Sequence, residues 1–240
     1  ALKIEISNSN NDCSIITTDV QKVGGFIGSV LNNKNIIKGV AITFTNSENN
    51  GNITTTTGLN IGGFIGFIFN ILSVEANLCK NNGNISIVNN LEIIAVGGFI
   101  GFFTNNANVA IHPVMSFGNT HNHGYIHIQQ TKTATVGGLI GAVHGNDGDS
   151  QKYSITFESC SNEGRLISLR AQNDIQIGGL IGNVTNNGYF NVEMKGCSNQ
   201  AKISALSSPI CIVGGLIGWV SRNGRSDLTI TGCKNKGMLS

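Results

Sequence analysis

The side chains best suited to proton, metal and thiol chemistry in this 240-residue chain are 13 carboxylates, five histidines and six cysteines. Glycoside hydrolysis needs paired carboxylates, and elimination needs a base beside a group that neutralises charge. The acids here are scattered: Glu48, Glu75, Glu92, Glu158, Glu163, Asp174, Glu193 and Asp227 share no motif. Asp147 and Asp149 fall in a glycine-rich segment, His144-Gly145-Asn146-Asp147-Gly148-Asp149, whose oxygens suit calcium. The segment lacks the spacing of a helix-loop-helix calcium site and has no second copy, so a plain turn is expected. His121, His123 and His127 cluster, with His112 upstream. Alternate residues of a strand share a face, which is the geometry of a metal site. No acid or histidine is expected alongside them, and Gly124 interrupts the run, so a solvated edge is the reading. No Cys-x-x-Cys pair occurs, which removes the usual zinc signal. Threonines at 54–57 and at Thr131, Thr133 and Thr135 suggest an ice-binding face, but the other parts of the chain do not repeat them. The chemistry-bearing residues therefore predict no enzyme, no cofactor and no metal.

What these residues sit on is a repeat. Val23-Gly24-Gly25-Phe26-Ile27-Gly28 recurs at Ile61–Gly66, Val96–Gly101, Val136–Gly141, Ile177–Gly182 and Val213–Gly218, a spacing of 35 to 41 residues. That spacing is typical of stacked structural units. A second block runs in phase with the first and reads Cys79-Lys80-Asn81-Asn82-Gly83-Asn84-Ile85-Ser86. Its copies start at Ser9, Ser47, Cys79, Thr120, Cys160, Cys197 and Cys233. The third position is Asn in every copy: Asn11, Asn49, Asn81, Asn122, Asn162, Asn199 and Asn235. The fifth is glycine except at Cys13 and Ala201, and the seventh is always Ile or Leu.

Around the blocks lie short alternating segments rich in β-branched residues, such as Tyr153-Ser154-Ile155-Thr156-Phe157. These are strands with one buried face. No stretch carries helical periodicity. The chain therefore reads as all-β, a parallel β-helix or β-solenoid of about six repeats, in a single domain spanning 1–240. Equivalent residues then stack about 4.8 Å apart. The Ile and Leu columns fill the core. The Asn column sits at a turn, each amide bonding the next amide and a local backbone group. The glycine two residues on is expected to supply a positive φ. The first box position holds Ser, Thr or Cys, as a small buried residue would require. A reduced cysteine column is the expectation there, with a disulfide between stacked neighbours the alternative. In the glycine block both faces are apolar, since Val23 and Ile27 alternate with Phe26 and Val30. Either the glycine pair makes a corner that resets the alternation, or the strand is covered on both sides; covering from within is favoured over a neighbouring chain.

The Gly-Gly-Leu-Ile-Gly block followed by Cys-x-Asn-x-Gly resembles the GLUG-type repeats of microbial surface proteins, from about Ser7 to Ser240. The resemblance implies an extracellular β-solenoid of the kind found in adhesins and large secreted proteins. It implies no catalytic residues.

Charged residues make up only 12% and the net charge is +2, which gives no electrostatic case for nucleic acid. The longest apolar runs, such as Phe64 to Leu72, are too short to span a bilayer. The expected localisation is extracellular or cell-surface. The chain starts at Ala1 rather than Met, as a processed product or a fragment would. Sequons at Asn52, Asn84 and Asn183 are candidates for glycosylation, with Asn52 and Asn84 pointing outward in adjacent coils. The function expected is a structural subunit of an extracellular filament or surface fibre, self-associating head to tail. Leu2, Ile4, Ile6, Leu228, Ile230 and Leu239 are the assembly candidates. The second reading is an adhesin-type segment that recognises a glycan or protein through one solenoid face.

Overall fold

The structure is a computed structural model. It describes residues 2–32, 39–88, 92–105, 112–145, 152–168, 170–186, 189–222 and 226–240. Every element in it is a strand, and every strand pair is parallel. The chain is a parallel β-solenoid with five strands to a turn. One turn shows the plan: Ser73–Asn77, Lys80–Asn81, Ile85–Ile87, Ile93–Gly97 and Ile100–Asn105. Each of these joins a sheet that runs along the whole stack, two sheets of seven strands and three of six. Six strands make five stacking steps, so the array closes about five full turns, slightly fewer than the repeats counted in the sequence.

Alternation decides which side chains go in. In the first sheet Ile4, Ile42, Val74, Met115, Ile155, Val192 and Leu228 form one inward column, and Ile6, Phe44, Ala76, Phe117, Phe157, Met194 and Ile230 the next. The register never shifts along either column. The third sheet carries the seventh box residue, from Ile15 through Ile53, Ile85, Ile126, Leu166 and Ile203 to a bridge with Leu239.

The interior is two cores rather than one. The first and fifth sheets enclose a core with Phe44, Phe64, Ile65, Phe99, Ile140 and Tyr153. The third and fourth sheets enclose a second, built from Ile53, Ile61, Ile85, Val96, Val136 and Ile177. This resolves the two apolar faces of the glycine block. Ile61 belongs to the second core, while Phe64, Ile65 and Ile68 belong to the first. Between them the chain bends at Gly63-Phe64, so the block is a corner covered from within on both arms. In the first core, Phe26, Phe64 and Phe99 stack with ring centroids 4.9 and 4.1 Å apart. Phe44 and Phe117 meet that stack edge-on, an arrangement favoured by the ring quadrupole.

Candidate functional site

The waist between the two cores is made by the Asn column and the glycine corner. Each Asn Nδ2 donates to the Oδ1 of the next coil: Asn11 to Asn49, Asn49 to Asn81, Asn81 to Asn122, Asn122 to Asn162, Asn162 to Asn199 and Asn199 to Asn235, at 2.7 to 3.0 Å. The second Nδ2 proton of Asn81 goes to the Gly83 carbonyl at 2.9 Å, satisfying the local backbone as expected. Asn49, Asn122, Asn162 and Asn199 are wholly buried. A buried amide left without partners costs about 1–3 kcal/mol, so the column holds only if every coil supplies the same residue. The corner glycine packs directly on it. A Cβ at Gly63 would lie 2.3 Å from Asn81 Oδ1 and 2.2 Å from the Gly98 carbonyl oxygen, so no side chain fits there.

The glycine two residues after the Asn works differently from the expectation. Gly51, Gly83, Gly124, Gly164 and Gly237 do not have a positive φ. Their requirement is closeness: a Cβ at Gly83 would lie 2.0 Å from the Gly51 oxygen of the preceding coil. The left-handed residue is instead the one before the box. Asn8, Asn46, Leu78, Asn119, Ser159, Gly196 and Gly232 all have φ between +46° and +64°, turning the chain from the first sheet into the second. Asn and Gly tolerate this region best, and five of the seven are Asn or Gly, a sequence signal that Leu78 and Ser159 mask.

The first box position needs more than small size. Ser47 Oγ donates to the Thr45 carbonyl at 3.0 Å, Thr120 Oγ1 to Gly118 at 3.1 Å and Cys79 Sγ to Asn77 at 3.3 Å. Ser, Thr and Cys share that donor. All six cysteines are free thiols. Hydrogen bonding with Cys197, and then burial, hold the Cys160 thiol above its ordinary value, so it stays protonated.

Of the histidine cluster, His121 lies in the second sheet and His123 just beyond it, while His127 lies in the third sheet. His121 Nδ1 lies 2.8 Å from Ser161 Oγ and His123 Nδ1 3.3 Å from Glu163 Oε2. The next coil therefore does place an acid beside His123, because box positions two and four stack in register; the expectation of none was wrong. Burial, then the neighbouring His123, lower the pKa of His121. Among the described residues no three His, Cys, Asp or Glu side chains converge as metal ligands. Of the glycine-rich segment expected to be a plain turn, residues 146–149 lie outside the described residues. The threonines do not share a flat face: Thr55, Thr131 and Thr135 are buried.

Asn52 is exposed and Asn84 half-exposed, in neighbouring coils. Asn52 Oδ1 accepts the Asn84 backbone N–H at 2.9 Å, and Asn84 Oδ1 the Tyr125 N–H at 3.0 Å. Asn183 stands elsewhere, its Nδ2 donating to Gln176 Oε1 at 2.7 Å. Leu2, Leu228, Ile230 and Leu239 are 45 to 63% exposed, while Ile4 and Ile6 pack partly on the first core.

The sharp corner has an outer consequence that the sequence did not reveal. The fourth and fifth sheets meet at an angle, and their outward columns face each other across a groove. One column is Lys22, Asn60, Ala95, Thr135, Gln176 and Ile212. The other is Ser29, Phe67, Phe102, Ala142, Asn183 and Trp219. Lys22 Nζ sits 4.5 Å from the centre of the Phe67 ring across the groove. A pocket of about 290 Å³ opens in its middle, at Ala142.

No protein-family model, curated protein or solved structure matches the chain. Among the described residues no helix is long and apolar enough to cross a membrane.

Proposed function

We propose that the chain is a structural, non-catalytic segment of an extracellular filament or surface fibre. The observation that carries this reading is the unbroken register. The Asn column and both inward columns of the first sheet pass through every coil without a slip. A stack so uniform repeats one geometry along its length, and any copy of it offers that geometry to another. The resemblance of its blocks to GLUG-type repeats of microbial surface proteins supports the extracellular setting. In a molecule whose ends stand free, the strand Leu2–Ser7 of one copy would continue the sheet beyond Ser226–Thr231 of the next. Ile4 would then follow Leu228, and Ile6 would follow Ile230, in the columns that they already share. Such a head-to-tail contact does not close on itself and propagates as a filament. Sedimentation and electron microscopy of the 240-residue chain test it. Filaments that disappear on deletion of residues 1–8 are expected. A protein that stays monomeric at high concentration overturns the assembly. In a eukaryotic secretory source Asn52 and Asn84 would carry glycans, which mass spectrometry of native material checks.

The second reading is recognition of a glycan or protein through one solenoid face. The groove between the fourth and fifth sheets favours it.

A further inference from the structure

The pocket in the groove has a specific origin. Along the fifth-sheet column the outward residues are Phe67, Phe102, Ala142, Asn183 and Trp219. After Ser29 in the first coil, Ala142 is the one small member of this column, and Ala95 and Thr135 are also small across the groove. Those three are nearly buried and form a floor. The dip they leave extends from Phe102 to Asn183, two strand steps or about 10 Å.

The two end walls differ in chemistry. At one end stands the half-exposed ring of Phe102, held by Phe67 at 5.8 Å and by the His144 ring edge-on at 5.8 Å. At the other end Thr185 Oγ1 donates to Asn183 Oδ1, and Asn183 Nδ2 to Gln176 Oε1, both at 2.7 Å. That chain of bonds fixes the orientation of both amides. It uses the Gln176 oxygen and leaves the Nε2 donors without a protein partner among the described residues. Thr133 adds a hydroxyl at the rim, and Ile93, 61% exposed, adds apolar surface beside it. Among the described residues, none of the side chains lining the pocket is a carboxylate, ammonium or guanidinium. Burial lowers the pKa of His144, which keeps that imidazole neutral near pH 7.

We infer that this pocket binds a neutral saccharide, one or two pyranose rings of a longer chain lying along the groove. A pyranose presents an apolar C–H face and an equatorial belt of hydroxyls. An aromatic ring at one end with oriented amides and hydroxyls at the other matches both, and within the pocket no described cation pairs with the carboxylate of a uronate or sialylated sugar. The volume is at the low end for small-molecule sites, as one or two rings require. The inference deepens the recognition reading and is independent of end-to-end assembly.

The test uses the 240-residue chain with neutral gluco-, manno- and galacto-oligosaccharides, oligogalacturonate as the charged counterpart, and saturation-transfer NMR with titration calorimetry. A neutral sugar is expected to bind. Phe102→Ala should weaken it about tenfold, the loss of one aromatic contact. Ala142→Phe, which continues the existing Phe67–Phe102 column and fills the dip, should abolish binding with melting temperature retained. Ser116→Ala, on the outer face of the first sheet, should change nothing. Absence of binding by every neutral sugar, or a preference for oligogalacturonate, overturns the inference. Sugar binding that survives Ala142→Phe also overturns this site, while leaving recognition through another face of the solenoid standing.

Discussion

Two asparagine columns run side by side, one closing the strands of the second sheet and the other one residue beyond them, and they have different fates. The inner one, at box position three, is buried in the five middle copies and keeps Asn in all seven. The exposed one, at position four, runs Asp12, Asn50, Asn82 and then dissolves into His123, Glu163, Gln200 and Lys236. Both make good bonds where they exist: Asn82 Nδ2 donates to Asn50 Oδ1 at 2.7 Å, the same length as Asn49 to Asn81 in the interior. Geometry therefore does not distinguish them. Water does. An outer amide that loses its partner turns to solvent, whereas an inner one has nowhere to turn. Identity is imposed by burial, not by the strength of the bond.

The severest way to break the inside-outside contrast is to put a charge in the interior. Ile140→Asp places a carboxylate in the first core, at a wholly buried site in the middle of the stack. A cost of roughly 5 kcal/mol or more is expected, enough to unfold flanking coils, because each coil's core is shared with its neighbours. Circular dichroism that melts at the wild-type temperature would show the inward assignment to be wrong.

Next comes the column itself. Asn122→Ala removes the partner of Asn81 Nδ2 and of Asn162 Oδ1 together, and should cost about 3 kcal/mol. Asn82→Ala, one residue from Asn81, should cost less than about 0.5 kcal/mol. Chemical denaturation of the two variants settles the comparison, and equal losses would refute it. Gly98→Ala attacks the same column from the corner, since its Cβ would stand 2.4 Å from Asn122 Oδ1 and 2.2 Å from the Gly138 oxygen. A loss of about 2–3 kcal/mol is expected from overpacking against backbone that cannot yield.

The smallest effect has the opposite sign. Leu78 is half-exposed and held at φ +56°, where three other coils use Asn. Leu78→Asn should raise stability by about 0.5–1 kcal/mol by relieving the left-handed strain. A lowered melting temperature would mean that the Leu78 side chain contributes more by packing than its backbone loses.

Much of this was legible in the sequence. The seventh-position Ile and Leu, the invariant Asn and the alternating strands gave class, inward faces and the amide column, because stacking makes each constraint recur and recurrence is visible without a structure. Three things were not. The left-handed corner was hidden because Leu78 and Ser159 occupy a position whose neighbours are Asn and Gly. The role of the fifth-position glycine was misassigned because closeness to a preceding coil and a positive φ select the same residue. The groove was invisible because it depends on the angle between two sheets, and on one alanine where the adjacent coils carry phenylalanine and asparagine. Sequence repeats report what is the same in each coil; a pocket is made where the coils differ.

The amide column also has a direction. Every Nδ2 points toward the coil that follows and every Oδ1 toward the coil before, so the dipoles add from Asn11 to Asn235. The molecule is thereby an arrow. One end of the column offers an acceptor and the other a donor, and two arrows meeting tip to tip would oppose donor to donor in a site with no room for water. Whatever adds to this stack, whether a further turn of the chain or another copy, must add facing the same way.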